Sequence, residues 1–129
     1  MAIRIVRLGT ARTPNEGIRL GTVRRPPRGV AKADYSRRDY FDLWLPDLAP
    51  SATLLAWARS KPLTESRWTT FARRYRAEMT RPPASRLIAL LALFSSRTNL
   101  SVGCFCEDQL RCHRSLLGEL LVQAGAVMG

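Results

Sequence analysis

The chain reads as a small, mainly parallel α/β sheet flanked by helices, and three observations carry that reading. Two short segments rich in β-branched residues open the sequence, at 2–8 and 18–23. Helical patterns fill the middle. A helix–strand–helix order closes it, which is the order of a parallel unit. At 129 residues with 46% apolar side chains, the chain is long and greasy enough for one domain around one core.

Ala2 to Leu8 alternates in part and reads as a first strand. Residues 9–17, with Gly9, Pro14, Asn15 and Gly17, form a loop, and Ile18 to Val23 is a second strand. The connection is too short for a crossover helix, which needs about a dozen residues. The two strands therefore make a loose hairpin or are not direct neighbours. Arg24-Arg25-Pro26-Pro27-Arg28-Gly29 follows, where two prolines exclude helix and interior strand and Gly29 permits a turn. Three guanidiniums are thus held on a stiff loop at a strand's carboxyl end, where open α/β sheets tend to bind ligands.

Residues 31–50 are expected to be irregular or short-helical, covering the core with Tyr35, Tyr40, Phe41 and Trp44. Ser51 is a good cap for a helix through about Ser60. Thr64 or Ser66 opens the next helix, whose Trp68, Phe71, Ala72, Tyr75 and Met79 fall at helical spacing as a core stripe. Pro82 and Pro83 end it, and Ser85 caps a helix carrying Leu87, Ile88, Leu90, Leu91 and Phe94. Asn99 to Phe105 reads as a buried strand. The last helix carries Leu116, Leu117, Leu120 and Leu121 and stops near Gly125.

No apolar run approaches the roughly 18 residues of a membrane span, and the amino-terminal stretch has no signal-peptide core. A cytoplasmic location with no membrane partner is expected. Three cysteines, an odd number clustered within residues 104–112, argue for a local site over a disulfide framework. The net charge of +11 is carried almost wholly by arginine, which suits bidentate contacts to phosphate or carboxylate. A phosphorylated small molecule or nucleotide is the expected partner, with nucleic acid as the second class the charge admits.

The site is expected at Cys104 to Arg114, between a strand end and the first turn of a helix, where backbone N–H groups favour an anion or a thiolate. Catalytic candidates are Cys106, Glu107, Cys112 and His113; anion-binding candidates are Arg24, Arg25, Arg28, Arg111 and Arg114. Either Cys106 or Cys112 can be the nucleophile, with Glu107 or His113 as acid or base. Cys104 reads as a small buried strand residue. Three cysteines and one histidine make a zinc ligand set in number only, because the spacings are poor and Cys112 and His113 are adjacent, about 100° apart on a helix. No metal and no cofactor are expected. Four and seven residues separate Cys106 from Arg111 and Arg114, which does not fit a cysteine-phosphatase loop.

The pair Cys106-Glu107 followed by Cys112-His113-Arg114 resembles the signature of the YeaO-like family, a family of domains of unknown function. The likeness extends to Arg24–Gly29, Asp42–Ser51 and Phe71–Met79, in the same order. It implies a compact α/β fold and marks Arg28, Glu107, His113 and Arg114 as positions to carry over. The chain departs at Arg25-Pro26, where that family more usually has Leu-Trp before Pro-Arg-Gly, and Cys104 is shared by only some relatives.

Three roles follow for the site. It is an anion or nucleotide pocket with cysteine chemistry, or structural support for a nucleic-acid-binding module using Arg73, Arg74 and Arg76. Alternatively, Glu107, His113 and Arg114 form an ion network tying the last helix to the sheet.

Overall fold

The computed structural model describes residues 1–106 and 111–129. Four strands, β1 (Ile3–Arg7), β2 (Ile18–Gly21), β3 (Leu43–Trp44) and β4 (Leu100–Cys104), form one sheet in the order β1-β4-β2-β3. Every neighbouring pair is parallel, with Ile5 opposite Val102 and Leu20 opposite Val102 across β4. The mainly parallel α/β fold expected from the sequence is therefore present. Of the two arrangements open for the first strands, the second holds: β4 lies between β1 and β2.

Because β4 is flanked on both edges and covered on both faces, all five of its residues are buried, as in a central parallel strand. Its alternation separates two environments. Leu100 and Val102, with Ile3 and Leu20, pack into the main core against α1 (Ala52–Arg59), α2 (Glu65–Met79), α3 (Ala84–Phe94) and α4 (His113–Gln123). Ser101 points the other way, where its hydroxyl donates to Glu16 at 2.8 Å. There Arg19, fully buried, donates twice to the Glu16 carboxylate at 2.7 and 2.9 Å and caps the carbonyls of Thr10 and Asp39. One arginine thus fastens two loops over the face opposite the helices.

The helix starts follow local chemistry. The Ser51 hydroxyl accepts from the Leu54 N–H at 3.1 Å, and Thr64 accepts from Arg67 at 3.3 Å. Phe71, Ala72, Tyr75 and Met79 of α2 are buried, and the Tyr75 hydroxyl donates to the Leu48 carbonyl at 2.8 Å. Two expectations change. Ser85 does not cap α3; the cap lies two residues earlier, at Pro83, whose fixed φ already suits a helix start, and the helix begins at Ala84. Residues 31–50 hold two one-turn 3-10 helices, as a short-helical segment would, but also the two-residue strand β3, too short to show alternation.

At the outer edge of β1 the chain's last residues complete the pairing: Ile3 N–H donates to Val127 and Gly129 N–H to Ile3, both at 2.8 Å. Among the described residues no helix is long and apolar enough to cross a membrane.

Candidate functional site

The carboxyl ends of β2 and β4 and the amino-terminal end of α4 meet at one edge of the sheet. Cys104 ends β4 and is buried, Cys106 lies beyond it and is exposed, and Cys112 occupies the cap position before α4 and is buried. The three sulfurs all lie within 4.8 Å of one another, and those of Cys104 and Cys112 are 2.6 Å apart. A second apolar cluster of Leu8, Val23 and Phe41 surrounds the two buried thiols.

His113 opens α4 and is held in a defined state. Its Nε2 is 2.6 Å from the Thr22 carbonyl, which can only accept, so Nε2 carries the proton. Its Nδ1 is then bare and lies 3.8 Å from Cys112 Sγ. Burial lowers the histidine's pKa, against the opposing pull of the Thr22 carbonyl, and keeps the ring neutral. Tyr75 packs against it at 5.7 Å between ring centroids.

Arg114 is buried beneath the same site. Its terminal nitrogen lies 3.4 Å from the carbonyls of Val6 and Cys104, and its Nε has no hydrogen-bond partner among the described residues. A buried guanidinium strongly favours a nearby negative charge.

The cysteines divide accordingly. The thiols of Cys104 and Cys112 act as hydrogen-bond donors to Cys106 and hold its pKa well below the ordinary thiol value, with the Arg114 guanidinium adding to the effect against the cost of desolvation. The pKa of Cys104 is pushed up to about 11, chiefly because its proton is shared with Cys106. Cys112 is pushed up for the same reason, through Cys104 and then Cys106. The cluster therefore holds one thiolate, at its exposed member.

Cys106 and His113 line a hollow of about 170 Å³ with Arg24, Arg25 and Arg59, closed in part by Leu55 and Phe105. The Pro-rich turn and the start of the last helix thus face one another across a cavity. The arginines differ in what they can do there. Arg24 donates to the carbonyls of Pro46, Ala49 and Pro50, at 2.9–3.2 Å, tying the segment before α1 to the end of β2. Arg25 and Arg59 make no hydrogen bond or ion pair among the described residues and are exposed.

Of the remaining expected residues, Arg28 lines a neighbouring hollow with Trp44, and Arg111 donates to the Leu63 carbonyl at 2.8 Å, on α2's approach. Glu107 lies outside the described residues. Arg59 and Leu55 are additions from α1, and nothing local in their sequence marks them, since the packing of α1 brings them to the hollow.

Two sulfurs on one zinc ion, each bonded at about 2.3 Å, stand well over 3 Å apart. Cys104 and Cys112 stand closer than that, so the three sulfurs, though near enough together to share an ion, are not arranged as a zinc cage.

No curated protein and no solved structure matches the chain. A family model does match, over residues 3–125, and it is the one described as the active DUF488-N3 subclade. The protein, from its first strand to the end of its last helix, belongs to the DUF488-N3a family of domains of unknown function.

Proposed function

We propose that the protein is an enzyme that binds the anionic or phosphorylated end of a small molecule or nucleotide through its arginines and attacks a carbon of that molecule with the Cys106 thiolate. An S–C bond forms as the carbon's bond to a leaving group breaks, and that group departs with the bonding pair. The convergence of Cys106 with Arg25 and Arg59 on one hollow carries this reading. At about 170 Å³ the hollow is smaller than the roughly 300 Å³ and upward of a pocket that engulfs a drug-sized ligand, so it suits the reactive end of a molecule. Arg25 and Arg59 hold the anion, Cys106 supplies the electron pair, and Arg114 stabilises charge from below. Cys112 and His113 are positioning residues: the Cys112 thiol donates towards Cys106, and the His113 ring, held by the Thr22 carbonyl, packs beside Cys112. The family's description as an active subclade agrees with a site that does chemistry. The likeness to the YeaO-like family bears on the location only: two of its four marked positions, His113 and Arg114, lie at this site.

The nucleic-acid reading draws less support. Arg74 is stacked over Trp57 at 4.7 Å and Arg76 is paired with Glu119 at 2.9 Å, leaving Arg73 of the three.

Iodoacetamide labelling followed by peptide mass spectrometry tests the proposal. Cys106 is expected to react about tenfold faster than free cysteine near pH 7, where an ordinary thiol is only a few per cent ionised. Inorganic phosphate or a nucleoside monophosphate is expected to protect it, and Arg25→Ala with Arg59→Ala to abolish the protection. An ordinary rate without protection refutes the reading.

A further inference from the structure

We propose that the three cysteines form a two-electron redox centre that reduces a hydroperoxide, with Cys106 as the attacking sulfur and Cys104 and Cys112 as the pair that stores the oxidation. This rests on the same reactive Cys106 as the function proposed above, and adds a second substrate class.

The placement of the sulfurs carries the inference. A lone exposed thiolate, once oxidised, has no thiol of its own chain to resolve it, but here two further thiols lie within 4.8 Å, sealed from solvent. Cys104 and Cys112 are in direct sulfur–sulfur contact with both side chains buried, so they are near enough to be joined by a disulfide bond. They sit on different elements, the end of β4 and the cap of α4, so the bond would join strand to helix with little movement. The hollow in front of Cys106 admits a small molecule, and its arginines face the position where an alkoxide would depart.

The steps balance. The Cys106 thiolate attacks the distal oxygen of ROOH; the S–O bond forms, the O–O bond breaks, and RO⁻ leaves with the bonding pair. RO⁻ takes the proton of Cys112, giving ROH and a Cys106 sulfenic acid. The Cys112 thiolate then attacks the Cys106 sulfur, and the departing hydroxide takes the proton of Cys104 to give water. The Cys104 thiolate attacks Cys112, which forms the Cys104–Cys112 disulfide and returns Cys106 as a thiolate. One peroxide is reduced and two thiols are oxidised. An external thiol reductant, two equivalents per turnover, restores the starting state.

The test uses the reduced wild-type protein with one equivalent of hydrogen peroxide, blocked by alkylation and mapped by mass spectrometry. The expected product is a Cys104–Cys112 disulfide, with two of the chain's three thiols lost. Peroxide consumption is expected to slow by at least about tenfold in Cys106→Ser, since the buried thiols are not ionised. In the double variant Cys104→Ser with Cys112→Ser, which leaves no resolving thiol, a sulfenic acid trapped by dimedone is expected at Cys106. Wild-type protein in which Cys106 is oxidised while Cys104 and Cys112 stay as thiols overturns the inference. So does purified protein holding one equivalent of metal with all three thiols closed to alkylation. If iodoacetamide labels Cys106 rapidly but no disulfide forms, only the redox inference fails; slow labelling removes both readings.

Discussion

Replacing Arg19 by methionine removes the fork that joins two loops to the sheet and leaves the Glu16 carboxylate buried without its partner. The size of the effect follows from the contacts. Arg19 is fully buried and Glu16 only 3% exposed, and the carboxylate accepts from Arg19 twice and from Ser101 once. The Arg19 hydrogen bonds, outweighing desolvation, hold the Glu16 pKa at about 2 instead of 4.5. At 1.36 kcal/mol per unit, ionised Glu16 adds about 3 kcal/mol to stability. Breaking one half of such a buried pair costs about 3–5 kcal/mol, a large share of the 5–15 kcal/mol typical of a domain. Urea unfolding near pH 7, followed by tryptophan fluorescence, reads the loss directly.

Acid separates this term from general packing. The folded pKa lies below the unfolded one, so the contribution is complete above about pH 4.5 and disappears as pH falls through about 2. Wild type and Glu16→Gln are therefore expected to converge in stability over that window. The double variant Glu16→Gln with Arg19→Met is expected to lose clearly less than the sum of the single losses, because no unpaired charge remains. A loss below about 1 kcal/mol in Arg19→Met, or strict additivity, would refute the argument.

Gly17→Ala is expected to destabilise by about 2 kcal/mol or more, because Gly17 has φ +81° and an added Cβ would sit 1.9 Å from the Asn99 carbonyl oxygen; the same urea titration measures it. Tyr75→Phe removes a buried donor and strands the Leu48 carbonyl, at a cost of about 1–3 kcal/mol, read as a lowered thermal midpoint. The lowered His113 pKa makes the unfolded chain the better proton acceptor below about 6.5. Stability should therefore fall as pH drops from about 7 towards 5, and His113→Gln should flatten that part of the profile; an identical slope in the variant would count against a neutral, buried His113.

What is legible from the residues is what neighbours in sequence decide. Ser51 and Thr64 mark helix starts because an N-cap needs only the next three residues, and the α2 stripe shows because packing repeats each turn. The grouping of Cys106, Cys112 and His113 is visible for the same reason. Arg19 is not: an arginine in a strand reads as a solvated position, and only the loops folded over it reveal a buried ion pair. Arg24 looks like a ligand contact but has its fork filled by three carbonyls, while Arg59 reaches the hollow from another helix. Which guanidiniums remain available is a tertiary property. The reactive sulfur is tertiary too, since Cys106 and Cys112 look alike in sequence and differ in exposure.

The position of β4 has a bearing on how the chain is made. The strand that joins β1 to β2 follows both far along the chain and is the last of the four to be made. Until then the two earlier strands have their shared partner missing, and the nascent chain carries open strand edges, the kind of surface that invites pairing with other chains. Assembly of the sheet therefore awaits β4, and the cysteine site, which needs both the end of β4 and the start of α4, forms later still.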